Sequence, residues 1–119
     1  MTTMTRQVLA VDLKSESVVD AYREYHRRVW PEVLESLRTS GVVDVQIYLL
    51  GTRLVMIADL DDGADLRRAF ETRMASHPRV AEWERLMMSF QQPAPGARAG
   101  EWWTAMEPVF EYRVPATRP

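Results

Sequence analysis

Tyr22 and His26 are the residues of this chain whose types and spacing most directly suggest chemistry. Four positions apart on a helix, two side chains lie on one face and reach the same small ligand. An imidazole gives or takes a proton near neutral pH, and a phenol hydroxyl both donates and accepts hydrogen bonds. The pair therefore suits proton transfer on a hydroxylated molecule, although a lone helical histidine is more often structural, and spacing alone leaves both readings open. Tryptophans supply a second feature, because sugars stack their C–H faces on indole rings. Trp83 stands at helical spacing with Val80, Leu86 and Met87, which fits a core position as well as a stacking platform. In the adjacent Trp102 and Trp103, an extended segment would turn only one ring inward and leave the other for an interface or a site. Glu24, Glu32, Glu82 and Glu84 are scattered among basic residues and carry no paired-carboxylate signature of a glycosidase. The pairs Arg27–Arg28 and Arg67–Arg68 read as solvated helix surface.

The elements that must position these residues follow from hydrophobic periodicity. Residues 7–13 form a β-branched-rich apolar run and predict a first strand. Ser17 to Asp20 resembles a capping box, and Val18, Tyr22, Val29, Val33 and Leu37 define one face of a long helix running to about Thr39. Pro31 lies inside that helix, where it lacks an N–H and clashes with the preceding turn, so a bend is expected between Arg27 and Trp30; Gly41 ends the helix. Residues 43–49 and 54–60 alternate as two strands joined by a tight turn at Gly51. A short helix is expected over 66–74, then Ser76-His77-Pro78 caps a second helical run over 80–90. Residues 91–101 hold two prolines and two glycines and predict a loop, and Met106, Val109, Phe110 and Tyr112 predict a final strand. The tail from about Arg113 is expected to be flexible. This order matches an α+β, ferredoxin-like split βαβ sandwich, a single domain over 1–119. Two helices cover only one sheet face, so a homodimer formed through sheet faces is expected.

Composition narrows the function. The 119 residues are 46% hydrophobic, enough for one continuous core. With 15 basic against 17 acidic residues the net charge is -2, so no excess field attracts nucleic acid or an anionic membrane. Cysteine is absent, which removes thiol chemistry and suits a reducing cytoplasm. Asp12 interrupts the N-terminal apolar run, so it reads as neither a signal peptide nor a membrane span. Only His26 and His77 are available for a histidine-rich metal cage, and no phosphate-binding loop, serine-hydrolase elbow or zinc-protease motif occurs. A small neutral or weakly polar ligand, handled without cofactor or metal, is the expected partner.

The run Tyr22-x-x-x-His26-x-x-Val29-Trp30-Pro31-Glu32 is followed by Ile47-Tyr48-Leu49, Trp83 and the stretch from Glu101-Trp102-Trp103 through Met106-Glu107 to Val109-Phe110. Together these residues resemble the L-rhamnose mutarotase family over nearly the whole chain. The resemblance implies a fold of the dimeric α+β barrel type. It also implies an isomerase that interconverts the α and β anomers of a deoxy sugar such as L-rhamnose or L-fucose. By position it implies His26 as the acid-base residue, Tyr22 as a sugar contact and Trp83 as the first of a tryptophan pair. Trp30, Glu84 and Trp103 complete the residues expected around the sugar. Where the family usually has Arg-Trp-Trp, this chain reads Glu82-Trp83-Glu84. Glu84 is then open to three roles: bonding a more polar sugar, acting as a second acid-base group, or facing solvent. Dimeric barrels also host cofactor-free oxygenases and cyclases acting on aromatic or polyketide-like intermediates, and a non-enzymatic ligand-binding dimer is a third possibility.

Overall fold

The computed structural model describes residues 4–115. Strand β1 (Thr5–Leu13) is followed by a 3₁₀ turn at Glu16–Val18 and by helices α1 (Val19–Arg27) and α2 (Pro31–Thr39). Then come strands β2 (Val42–Leu50) and β3 (Arg53–Leu60), helices α3 (Leu66–Ser76) and α4 (Pro78–Phe90), and two short strands, β4 (Gln91–Gln92) and β5 (Thr104–Ala105). The sheet runs β2-β3-β1-β4, with β5 also pairing β1, and every pairing is antiparallel. The fold is thus mixed α+β, with one antiparallel sheet and four helices.

The expected bent helix is instead two helices. Trp30 is extended (ψ 139), as a residue before proline tends to be, and Pro31 opens α2 at a first-turn position where its missing N–H costs nothing. Arg28 leaves helical geometry at φ -139 and ψ 64, so the break occupies Arg28 to Trp30. No side-chain cap bond forms at Ser17; its hydroxyl meets that of Ser15 at 2.6 Å. At α4 the cap is His77, whose Nδ1 accepts from the Arg79 N–H at 3.0 Å, and Pro78 follows in the first turn.

The C-terminal region departs furthest from expectation. Residues 106–112 form no strand; pairing with β1 is confined to Thr104 and Ala105, with one further bond from Met106 N–H to the Val8 carbonyl at 2.8 Å. Gln91 and Gln92, expected in a loop, pair with Leu13 and Asp12. The apolar residues beyond Ala105 have no surface of their own chain to pack on: Val109 is 92% and Phe110 85% exposed. Of the tail expected from Arg113, residues 116–119 lie outside the described residues.

Register decides which strand residues meet the helices. Leu49, Leu54 and Val11 lie side by side across three strands, as do Ile47, Met56 and Leu9, so these rows share one face. On that face Val11, Leu13 and Leu54 form a core with Tyr22 of α1, Val33 of α2, and Trp83 and Met87 of α4. The opposite face carries Tyr48, Val55, Ile57 and Val8, with Leu50 83% exposed at its edge. Ion pairs Arg6–Asp59 and Arg53–Asp12 cross it.

Candidate functional site

Between α1, α2 and α4 and the β2–β3 half of the helix-bearing face lies a cavity of about 440 Å³, within the size range of small-molecule sites. One wall is apolar: Val29, Val33 and Leu37 from the α1–α2 region, Val45, Ile47 and Leu49 from β2, Leu54 and Met56 from β3. The other wall holds Tyr22, Arg23, His26, Arg73, Trp83 and Glu84. Four expected site residues, Tyr22, His26, Trp83 and Glu84, are therefore brought together.

His26 is set by its own helix. Its Nδ1 lies 2.9 Å from the Tyr22 carbonyl, which can only accept, so Nδ1 carries the proton and donates. The Tyr22 ring stacks beneath the imidazole with centroids 4.4 Å apart, and Trp83 meets it edge-on at 5.5 Å. Burial pushes the His26 pKa below its usual value; the Tyr22 carbonyl and the Glu84 charge oppose that shift in part. The imidazole is thus neutral at neutral pH. Nε2 bonds to nothing among the described residues, where no buried side-chain nitrogen or oxygen lacks a partner, so it is the open acceptor beside the cavity.

Tyr22 is held by a relay from the far end of the chain. Trp102 Nε1–H donates to Gln91 Oε1 at 2.8 Å, and Gln91 Nε2–H donates to the Tyr22 hydroxyl at 3.1 Å. Burial drives the Tyr22 pKa up to about 12, with the Gln91 bond working against the rise, so the phenol stays protonated. Gln91 carried no signal in the sequence, and Trp102, flagged only for its ring, reaches Tyr22 through Gln91 because β4 and a bend, not periodicity, deliver the two.

Glu84 is not a solvated surface residue. Its Oε1 accepts from Arg73 Nη2 at 3.0 Å, and the two side chains are only 17% and 11% exposed. Arg73 Nε–H donates to Ser36 Oγ at 2.9 Å, and Ser36 donates to the Val33 carbonyl at 2.7 Å. This network joins α2, α3 and α4, and Arg73 had no signal in the sequence beyond being one arginine among many.

Trp30 and Trp103 do not line the cavity. Trp30 packs edge-on to Trp83 at 5.1 Å, with the Arg79 guanidinium 3.7 Å above its ring. Trp102 and Trp103 both pack against the core, contrary to the one-in, one-out expectation, because residues 102 and 103 bend instead of running extended. A second cavity of about 340 Å³ is lined by Glu32, Glu35, Ser36 and His77 among others; there Arg38 engages Glu35, and His77 Nδ1 caps α4. Among the described residues no cluster of three or more histidine or acidic side chains could hold a metal ion, and no helix is long and apolar enough to cross a membrane.

Fold and cavity together define a small antiparallel α+β protein with a candidate small-molecule site beside His26. The chain belongs to the L-rhamnose mutarotase family, whose sequence pattern matches residues 6–112. It is 36% identical over 110 residues to an L-fucose mutarotase from Xanthomonas campestris pv. campestris, covering 90% of this chain and 87% of that one. It is 32% identical over 91 residues to an L-rhamnose mutarotase from Burkholderia cenocepacia, covering 76% and 83%. The fold is similar to the crystal structure of an L-rhamnose mutarotase from Formosa agariphila, with a TM-score of 0.65 at 22% identity over 92% of this chain and 99% of that one.

Proposed function

We propose that the protein is a mutarotase, an isomerase that interconverts the α and β anomers of a deoxy sugar such as L-rhamnose or L-fucose, with His26 moving the proton. The observation that carries this reading is an open, neutral imidazole beside the cavity. The neutral His26 imidazole has Nδ1–H tied to the Tyr22 carbonyl and Nε2 free, in a cavity whose lining also includes Val33, Val45, Ile47, Leu49 and Met56. That combination fits a molecule with hydroxyls on one side and a methyl group and C–H face on the other.

In the reaction, Nε2 takes the proton of the anomeric hydroxyl as the bond between C1 and the ring oxygen breaks. The ring oxygen must gain a proton, which the imidazolium so formed returns, directly or through water. The open aldehyde turns about C1–C2 and recloses on its other face by the reverse transfers, with no net proton change. Tyr22, Trp83 and Glu84 contact the sugar, and Tyr22 also sets the imidazole by stacking and by its carbonyl. Trp30 and Trp103 support the site by packing, Trp30 directly behind Trp83.

The reading extends to a ferredoxin-like fold of the dimeric α+β barrel type and to a cytoplasmic homodimer. The strand order β2-β3-β1-β4 supports the first, and the exposed Tyr48, Leu50, Val109 and Phe110 support a second copy as partner. The decisive test replaces His26 with Asn or Ala and measures anomer exchange by saturation-transfer NMR. A loss of about 100-fold or more with the circular dichroism spectrum retained is expected; undiminished exchange rejects His26 as the proton carrier.

A further inference from the structure

The Arg73–Glu84 pair lines the cavity, yet proton transfer at the anomeric centre does not require it. A half-buried ion pair that served stability alone would be expected to satisfy most of its hydrogen-bonding atoms, since leaving charged groups half-paired in a partly desolvated site is costly. This one does not close on itself. Glu84 uses only Oε1, and Arg73 uses Nε for Ser36 and Nη2 for Glu84. Glu84 Oε2 and Arg73 Nη1 have no hydrogen-bond partner among the described residues. No buried side-chain nitrogen or oxygen there is unpaired either, so both atoms are accessible, on residues that line the cavity.

We infer that Arg73 and Glu84 form a two-point clamp for adjacent sugar hydroxyls, which sets specificity separately from the proton-transfer group. Glu84 Oε2 accepts from one hydroxyl while Arg73 Nη1 donates to the oxygen next to it. Donor and acceptor are fixed side by side by the Oε1–Nη2 bond, so a vicinal diol meets both and an isolated hydroxyl meets one. Ser36, anchored on the Val33 carbonyl, stops the guanidinium from rotating. Arg73 is thus also a positioning residue for Glu84. The ligand class that follows is a monosaccharide with two neighbouring free ring hydroxyls away from the anomeric carbon. Its congeners that lack one of the two are rejected.

This inference rests on the mutarotase reading, so its test separates the two. Anomer exchange of L-rhamnose, L-fucose and their singly deoxygenated analogues is measured for the wild type, Glu84→Gln and Arg73→Lys, after melting curves establish folding. The wild type is expected to prefer a parent sugar over at least one analogue by about 10- to 100-fold in kcat/KM, the usual range for hydrogen bonds to charged groups. Glu84→Gln and Arg73→Lys are expected to raise KM for the parent sugar more than they lower kcat and to erase most of that preference. Should either variant fail to fold, saturation-transfer difference spectra of wild-type complexes report the same contact, as strong signal at the protons flanking the clamped hydroxyls. Exchange that persists with unaltered discrimination, or a wild type indifferent to every deoxygenation, overturns the clamp and leaves the mutarotase reading standing. A wild type that exchanges none of these sugars overturns both.

Discussion

His26 is a half-buried imidazole whose protonation is set by its neighbours. Its folded pKa lies below the ordinary 6.5, so the unfolded chain binds this proton more readily than the native one. The stability contributed by keeping the imidazole neutral is complete above about pH 6.5 and is lost as pH falls below that value through the depressed pKa. In the proposed reaction, proton transfer by Nε2 follows the same window. The acid limb of kcat/KM is expected to have its midpoint below 6.5, with no change through neutrality. Because the Glu84 charge partly restores the His26 pKa, Glu84→Gln is expected to move that limb to still lower pH. A pH–rate profile of both proteins checks the sign, and a limb displaced upward contradicts it.

At the scale of elements, the cavity exists because one amphipathic stretch is cut into two helices. Trp30 and Pro31 turn the chain so that α1 presents Tyr22 and His26 while α2 brings Val33 and Leu37 to the same space. α2 then ends at Gly41, which has φ 86, a conformation L-residues with a Cβ disfavour. A Cβ there would also sit 3.1 Å from that of Ala64, and the Gly41 carbonyl accepts from Asp61 N–H at 2.8 Å. Gly41→Ala is therefore expected to cost about 1–2 kcal/mol, read as a lowered urea midpoint, while a midpoint equal to wild type would show that the turn relaxes without penalty.

At the scale of the whole molecule, a stretch of apolar surface is covered by none of the described residues. The described chain extends 54 Å along its long axis against 31 and 29 Å across, and Val109, Phe110 and Tyr112 are all at least 75% exposed. Exposed aliphatic and aromatic groups in such a run favour a protein partner over solvent. The proposed homodimer provides that partner, with the 106–114 arm laid against the second copy. Val109→Asp combined with Phe110→Asp is expected to shift the mass measured by light scattering from two chains toward one. A double variant that stays dimeric at micromolar concentration excludes the arm from the interface.

Periodicity and punctuation were enough to predict β1, β2, β3 and the interrupted α3–α4 region, because each buries one face against one core and local pattern follows burial. The i, i+4 spacing likewise placed Tyr22 and His26 together, since a helix enforces that neighbourhood whatever surrounds it. Pattern was insufficient where contacts are made at a distance. Arg73 meets Glu84 and Ser36 from three different helices, Gln91 reaches Tyr22 across 69 positions, and the residues after Ala105 lost their predicted strand for want of a facing surface. The sequence alone placed Tyr22 and His26 on one helix turn, because that neighbourhood depends only on residues within the turn. That Glu84 is a half-buried carboxylate paired through one oxygen, and that Trp30 and Trp103 pack against the core, followed from the fold, because burial and partnership depend on the elements that close around a side chain.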